Sequence, residues 1–184
     1  MTALASRGFF VTGTDTGVGK TLIACALLNA FAAAGRRVAG MKPVAAGADE
    51  TAEGLVNADV RLLRGASSVA APLALVNPYC FMPPVAPHIA AERAGVTIDL
   101  KRIAQAFAQL AAIADVVIVE GAGGFCVPLN RHEDAADLAC RLGLPVILVV
   151  GLRLGCLNHA LLTAQAVRAR GLRAGRVQWW RRIP

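Results

Sequence analysis

Lys20 and Thr21 close a glycine-rich run, Thr12-Gly13-Thr14-Asp15-Thr16-Gly17-Val18-Gly19-Lys20-Thr21, whose residue types suit a nucleoside triphosphate. Small residues let backbone N–H groups converge on phosphate oxygens. A lysine reaches the β- and γ-phosphates, and a threonine hydroxyl binds the Mg²⁺ that bridges them. The strict pattern G-x-x-x-x-G-K-[ST] is missed by one place, because Thr14 stands where it requires glycine and the glycine is Gly13. The flanks are those such a loop needs. Phe9, Phe10 and Val11 read as a short buried strand ahead of it, and Leu22, Ile23, Ala26, Leu27, Ala30 and Phe31 give helical spacing over 21–34 behind it. A helix start adds about half a positive charge, so strand, loop and helix together specify an anion site.

Two further charged residues stand at the ends of apolar runs. Val38-Ala39-Gly40-Met41 reads as a second strand that delivers Lys42 and Pro43 at its carboxyl end, the rim where open α/β sheets bind ligands. On position alone, a ligand-facing lysine and a solvated one stay equally open. Asp115-Val116-Val117-Ile118-Val119-Glu120 is the clearest buried strand, and it ends in Glu120-Gly121-Ala122-Gly123-Gly124. A carboxylate closing an apolar strand ahead of glycines resembles the Walker-B element, which holds Mg²⁺ directly or through water. Asp59 lies on a short helical stretch, 57–63, and a lone aspartate on a helix is usually exposed.

The intervening elements must carry these groups to one place. Residues 47–54 read as a flexible acidic loop. The proline-rich segment 72–87 reads as an ordered connection, not regular helix, with an edge strand around Tyr79 to Phe81. His88 and Glu92 open a short helix. Asp99 caps an amphipathic one carrying Leu100, Ile103, Phe107, Leu110 and Ile113. A helix over 134–142, a buried strand over 145–150 and a helix capped by Asn158 and running to about Arg170 follow. Strands alternating with helices predict an α/β fold: a P-loop NTPase-like, doubly wound, mostly parallel sheet in a single domain over 1–184.

The chain has 184 residues, 56% of them apolar and only 5% aromatic, so the core is built from Ala, Leu, Val and Ile. Its longest apolar runs are far shorter than the ~20 residues of a membrane span, and the early glycine loop leaves no room for a signal peptide. A cytoplasmic protein with no membrane partner is expected. The five cysteines are odd in number and never spaced C-x-x-C, so neither a disulfide framework nor a zinc site is indicated. Much of the net charge of +7 sits late, in Arg168, Arg170, Arg173, Arg176, Arg181 and Arg182, away from the phosphate loop. That favours a small anionic ligand and no nucleic acid.

Taken together, the motifs resemble the dethiobiotin synthetase family. They are Val11 through Thr21, Lys42-Pro43-Val44-Ala45, Asn77-Pro78-Tyr79, Pro87-His88-Ile89, Val119 through Gly124, Pro145 through Gly151 and Gly155-Cys156-Leu157-Asn158-His159-Ala160. The family's own loop is G-T-D-T-x-V-G-K-T, which accounts for Thr14. The resemblance implies an ATP- and Mg²⁺-dependent closure of a cyclic urea from 7,8-diaminononanoate and CO₂, through a carbamate and its phosphoric anhydride. It implies nucleotide contacts along Gly13, Thr14, Asp15, Thr16, Gly17, Val18, Gly19, Lys20 and Thr21, with Glu120 and Gly123 beside them. Mg²⁺ would be surrounded by Thr21, Asp59 and Glu120, and Lys42 would act with Lys20 on the reacting groups. Lys42, Ala46, Gly123, Pro128 and Leu129 would line the diamine site, completed by Asn158 from the partner in a homodimer.

The sequence departs from the family in two places. Ala46 stands where serine usually follows Lys-Pro-Val-Ala. After Gly171-Leu172 the family continues through a strand to an adenine-reading asparagine and a further segment. This chain instead reads Val177-Gln178-Trp179-Trp180-Arg181-Arg182-Ile183-Pro184, as a truncated or frameshifted end would. The expectation is an edge strand entered at Val177, exposed indoles at Trp179 and Trp180, weak base-promiscuous triphosphate binding and little product. The competing readings are an amide-forming ligase of cobyrinate type, which lacks its glutaminase domain here, and a partitioning-type switch ATPase. The latter usually carries an early loop lysine where this chain has Asp15.

Overall fold

Phe10 and Val11 are both fully buried although they point to opposite sides of one strand, which requires a sheet covered on both faces. The computed structural model describes residues 8–52, 54–172 and, as backbone, 178–180. In chain order the elements are β1 (Gly8–Gly13), α1 (Lys20–Ala33), β2 (Val38–Met41), β3 (Val44–Ala46), β4 (Asp49–Thr51), β5 (Gly54–Val56) and α2 (Ala58–Ala66). There follow α3 (Leu73–Val76), β6 (Tyr79–Phe81), α4 (Pro87–Arg93), α5 (Leu100–Ile113), β7 (Val116–Gly124), α6 (Ala135–Leu142), β8 (Val146–Gly151), α7 (Cys156–Ala169) and β9 (Gln178–Trp180).

The central sheet has five strands in the order β2-β7-β1-β8-β9, and every pairing in it is parallel. One face carries Phe10, Val117, Val119 and Val146 against Ile103 and Leu110 of α5 and Leu138 of α6. The other carries Val11, Ile118, Ile147 and Val149 against Ala24 and Leu28 of α1 and Leu63 of α2. Alternation by two along each strand thus feeds two cores, as the doubly wound expectation requires. Gly40 of β2 is squeezed under the second layer, where an added Cβ would lie 2.9 Å from Leu63 Cβ and 3.1 Å from Leu28 Cδ1.

Register decides what reaches the carboxyl rim. Met41 pairs with Val119 and Val11 with Glu120, so Lys42 and Glu120 emerge side by side at the mouth of the phosphate loop. Outside the main sheet, β3 and β6 form a parallel pair, Val44 opposite Tyr79, which fixes the segment that follows Lys42.

Four local expectations are corrected. Residues 47–54 are not a flexible loop: Asp49–Thr51 and Gly54–Val56 pair as an antiparallel hairpin, with Thr51 Oγ1 donating to Gly54 O at 2.8 Å. The proline-rich connection contains one helical turn, Leu73–Val76, since its prolines leave that interval free. β7 does not stop at Glu120 but runs to Gly124, because after a shift of register Gly124 pairs again with β1, opposite Gly13. α7 begins at Cys156 behind Gly155 in left-handed conformation (φ 92°), so Asn158 is inside the helix and is not its cap. The backbone of 178–180 does form an edge strand on β8. Val177 and the side chains of Trp179 and Trp180 lie outside the described residues.

Candidate functional site

The phosphate loop is shaped by close contact. A Cβ on Gly13 would lie 2.7 Å from Val18 Cγ2 and 3.2 Å from Lys20 Cδ, so the loop folds over its own first glycine as only glycine permits. Gly19, at φ 97°, turns the chain into α1 and leaves the N–H groups of the helix start without a side-chain cap. Lys20 points back into the loop, where its ammonium donates to Asp15 O at 2.8 Å. Asp15 Oδ1 accepts the Thr16 N–H at 2.7 Å, and the Arg153 guanidinium pairs with the other oxygen.

Lys42 is the hub of the site. It is only 5% exposed, and its ammonium donates to Glu120 Oε1 at 2.6 Å and to Asp59 Oδ2 at 2.7 Å. The Thr21 hydroxyl donates to the same Glu120 oxygen at 3.0 Å. The phosphate loop, the end of β2, the first turn of α2 and β7 therefore converge on one cluster, and Lys42 is a buried lysine, not a solvated one. Burial alone would disfavour its charge, but Glu120 and then Asp59 outweigh this and raise its pKa above the ordinary lysine value. Burial likewise works against the charge on Asp59, yet the Lys42 ammonium holds that carboxyl below its usual range. Lys20 goes the other way: burial, reinforced by repulsion from Lys42, lowers it to about 8.

Asp59 is lifted out of its weak sequence position by Asn57. The Asn57 carbonyl accepts the Asp59 N–H at 2.9 Å and caps α2, while its amide donates to Ala46 O at 3.1 Å and Gly47 O at 3.0 Å. Asn77 does the same for Lys42, donating to Lys42 O at 2.6 Å and Tyr79 O at 2.9 Å. Neither asparagine was singled out as a site residue from sequence. The signal available was Asn57 as an N-cap ahead of helical spacing, and Asn77 within the Asn77-Pro78-Tyr79 motif.

Above the cluster opens a cleft of about 740 Å³, a size suited to a nucleotide-like ligand. Thr16, Gly17, Gly19, Lys20, Thr21, Lys42, Ala46, Asp59, Glu120 and Gly123 line it, together with Asn57, Val127 and the turn at Pro84 to Pro87. Gly13 and Val18 shape the loop from behind, and Thr14 is tied to Val149 O. Pro128, Leu129 and Asn158 are not among the lining residues. Pro128 bridges to Asp134, Leu129 is packed in the core, and Asn158 is exposed on α7. Thr21, Asp59 and Glu120 offer hard oxygen donors, and Glu120 Oε2 is buried without a hydrogen-bond partner. Such a donor set fits Mg²⁺, which takes one or two carboxylates and completes its shell with water and phosphate.

Residues 7–177 match the family model described as an AAA domain. The ATP-dependent dethiobiotin synthetase BioD of Nitrosospira multiformis is 62% identical over 89% of this chain and 70% of its own length. That of Aromatoleum aromaticum is 60% identical over 90% of this chain and 74% of its own length. The chain belongs to the dethiobiotin synthetase family. Dethiobiotin synthetases from Ralstonia nicotianae (58% identity) and Xanthomonas axonopodis (54%) match over 89% of the chain as well, and 72% and 73% of their own lengths. Among solved structures, the kinase domain of Escherichia coli tyrosine kinase ETK superposes with a TM-score of 0.56 at 15% identity, covering 95% of this chain and 67% of that one. The MinD cell division protein of Aquifex aeolicus does so at 0.52 and 16%, covering 97% and 70%. These two likenesses establish the P-loop NTPase fold that a dethiobiotin synthetase would need, and nothing about chemistry.

Proposed function

We propose that this chain is an ATP-dependent dethiobiotin synthetase acting in biotin biosynthesis, closing a cyclic urea from 7,8-diaminononanoate and CO₂. The observation that carries the reading is the buried Lys42 ammonium, held by Glu120 and Asp59 at the mouth of a phosphate loop. One amine nitrogen bonds to CO₂ and loses a proton to give a carbamate. A carbamate oxygen takes the γ-phosphoryl group and ADP leaves, and the second amine then attacks the carbonyl carbon and expels phosphate.

The residues divide this work by position. Lys20, already bent into the loop, exchanges its bond to Asp15 O for phosphate oxygens, and the N–H groups of the uncapped start of α1 receive the rest of the charge. Lys42 faces the carbamate and the charge that develops on the transferring group, an electrostatic role that positioning makes effective. Thr21, Asp59 and Glu120 would hold Mg²⁺, which supplies neutralisation of the phosphate oxygens. A Cβ on Gly123 would lie 3.1 Å from Val127 Cγ2, and its absence leaves room for the diamine beside Ala46. Pro128 and Leu129 shape that wall from behind through their contacts with Asp134 and Glu133, and Asn158 contributes from a partner subunit.

The homodimer is part of the same reading. Leu157 and Leu161, one turn apart on α7, are about two-thirds exposed, and Leu154 on the turn before the helix is fully exposed; with Asn158 nearby they make an apolar surface suited to a second copy. No helix among the described residues is long and apolar enough to cross a membrane. We place the enzyme in the cytoplasm, with small molecules and neither nucleic acid nor membrane as partners. The test is diaminononanoate-dependent ADP release with dethiobiotin identified by mass. It is repeated with Asp59→Asn, which is expected to raise the Mg²⁺ concentration for half-maximal turnover. ADP release indifferent to the diamine would refute the activity.

A further inference from the structure

Arg153 lies outside the cleft, on the turn between β8 and α7, yet it touches the phosphate loop. The carboxyl end of β8 is keyed to that loop along its length. Thr14 N–H donates to Val149 O at 3.1 Å, a Cβ on Gly151 would lie 3.1 Å from Val18 Cγ1, and the Arg153 guanidinium pairs with Asp15. Asp15 is held at both ends. One carboxylate oxygen accepts the Thr16 N–H and the other receives Arg153, and these bonds, in that order, keep the carboxyl below its ordinary value.

This arrangement sets a problem for a triphosphate. Asp15 carries a full negative charge in the loop whose N–H groups and Lys20 must attract a highly anionic ligand, and its own backbone carbonyl is where Lys20 rests. An ion pair with side chains 60% and 47% exposed contributes little to folding. Its consequence is for the field in the loop, since an unpaired carboxylate there opposes phosphate and a paired one does not.

We propose that Arg153 is a positioning residue for the nucleotide: it neutralises Asp15, removes a repulsion from the phosphate loop, and ties that loop to the segment leading into α7. The inference rests on the phosphate-loop reading of residues 12–21. It gives the β8–α7 turn a role in ATP affinity although that turn does not line the cleft.

The experiment measures Mg-ATP affinity by calorimetry for the unaltered chain, R153A, R153K and the double variant R153A/D15N, at low salt and at high salt. R153A is expected to bind ATP roughly two- to fivefold more weakly at low salt, the range of an exposed charge pair. The difference should shrink at about 1 M salt, where screening acts within ~3 Å. R153K should retain most of the affinity. R153A/D15N should bind more tightly than R153A, because Asn keeps the acceptor for Thr16 and removes the charge. An unchanged R153A overturns the proposal. So does a loss in R153A that Asp15→Asn fails to relieve and salt fails to shrink, since Arg153 would then act as a structural clamp or on the nucleotide itself. If the unaltered chain binds no ATP, the phosphate-loop reading falls, and this inference with it.

Discussion

Lys42 and Glu120 are 78 residues apart in the chain, and the ammonium of one lies 2.6 Å from a carboxylate oxygen of the other. Parallel pairing puts them there: Met41 stands opposite Val119, so the next residue of each strand reaches the same rim. Glu120 is 1% exposed, and its second oxygen has no partner. The pair is thus both a buried contact and a site with capacity left over.

Lys42→Met leaves the Glu120 carboxylate buried and uncompensated, and should cost about 3–5 kcal/mol of folding stability. It should also lower kcat by about a hundredfold or more, with a smaller change in KM for ATP, since the lost charge is aimed at the reacting group. Denaturant titration and steady-state kinetics read the two effects separately. A variant altered only in KM for ATP would remove Lys42 from the reaction centre.

Burial and then Lys42 oppose the charge on Lys20 in the folded protein and lower its pKa to about 8. ATP favours the ammonium, so binding at that pH should draw a proton into the protein, and affinity should fall by up to about tenfold per pH unit above it. For folding, a value lowered from 10.5 to about 8 means the charged form is penalised in the native state at neutral pH. That penalty is relieved as pH rises through the window between the two values. Calorimetry in buffers of differing ionisation enthalpy measures the uptake; none at pH near 8 would contradict the assignment.

Asn77→Ala strips the donor from two carbonyls, Lys42 O and Tyr79 O, beside a side chain that is itself buried. About 1–3 kcal/mol of stability should be lost. With the backbone of Lys42 loosened, kcat should fall more than KM for ATP rises. Asn57→Ala should instead show itself in the Mg²⁺ requirement, as it frees the turn that presents Asp59. Equal effects of both variants on every parameter would mean that each merely weakens the fold.

Much of the architecture was readable along the chain because its signals are local. Phe10 and Val11 ahead of the loop, the order Gly19-Lys20-Thr21, the apolar run up to Glu120 and the Asp99 cap each lie within a few residues of what they specify. Asp59 was not readable from its position, since one aspartate on a helix looks the same whether it faces water or an ammonium. Residues 47–54 were read as loop because Asp49, Glu50 and Glu53 stand between two glycines, yet Asp49–Thr51 pairs with Gly54–Val56 as a hairpin. Leu129 and Asn158 were expected at the diamine site from family resemblance alone; their placement in the fold, the first in the core and the second on an exposed helix face, comes from packing.

Residue order and composition therefore account for the strand, loop and helix of the phosphate site, for the two-faced sheet and for family kinship. Bonded neighbours and short-range periodicity are enough for these. The convergence of Lys42, Asp59, Glu120 and Thr21 on one cluster, the lowered pKa of Lys20 and the grip of Arg153 on Asp15 came from folding alone. Burial and charge act through distance in space, and strand register and helix placement set those distances between residues far apart in the chain.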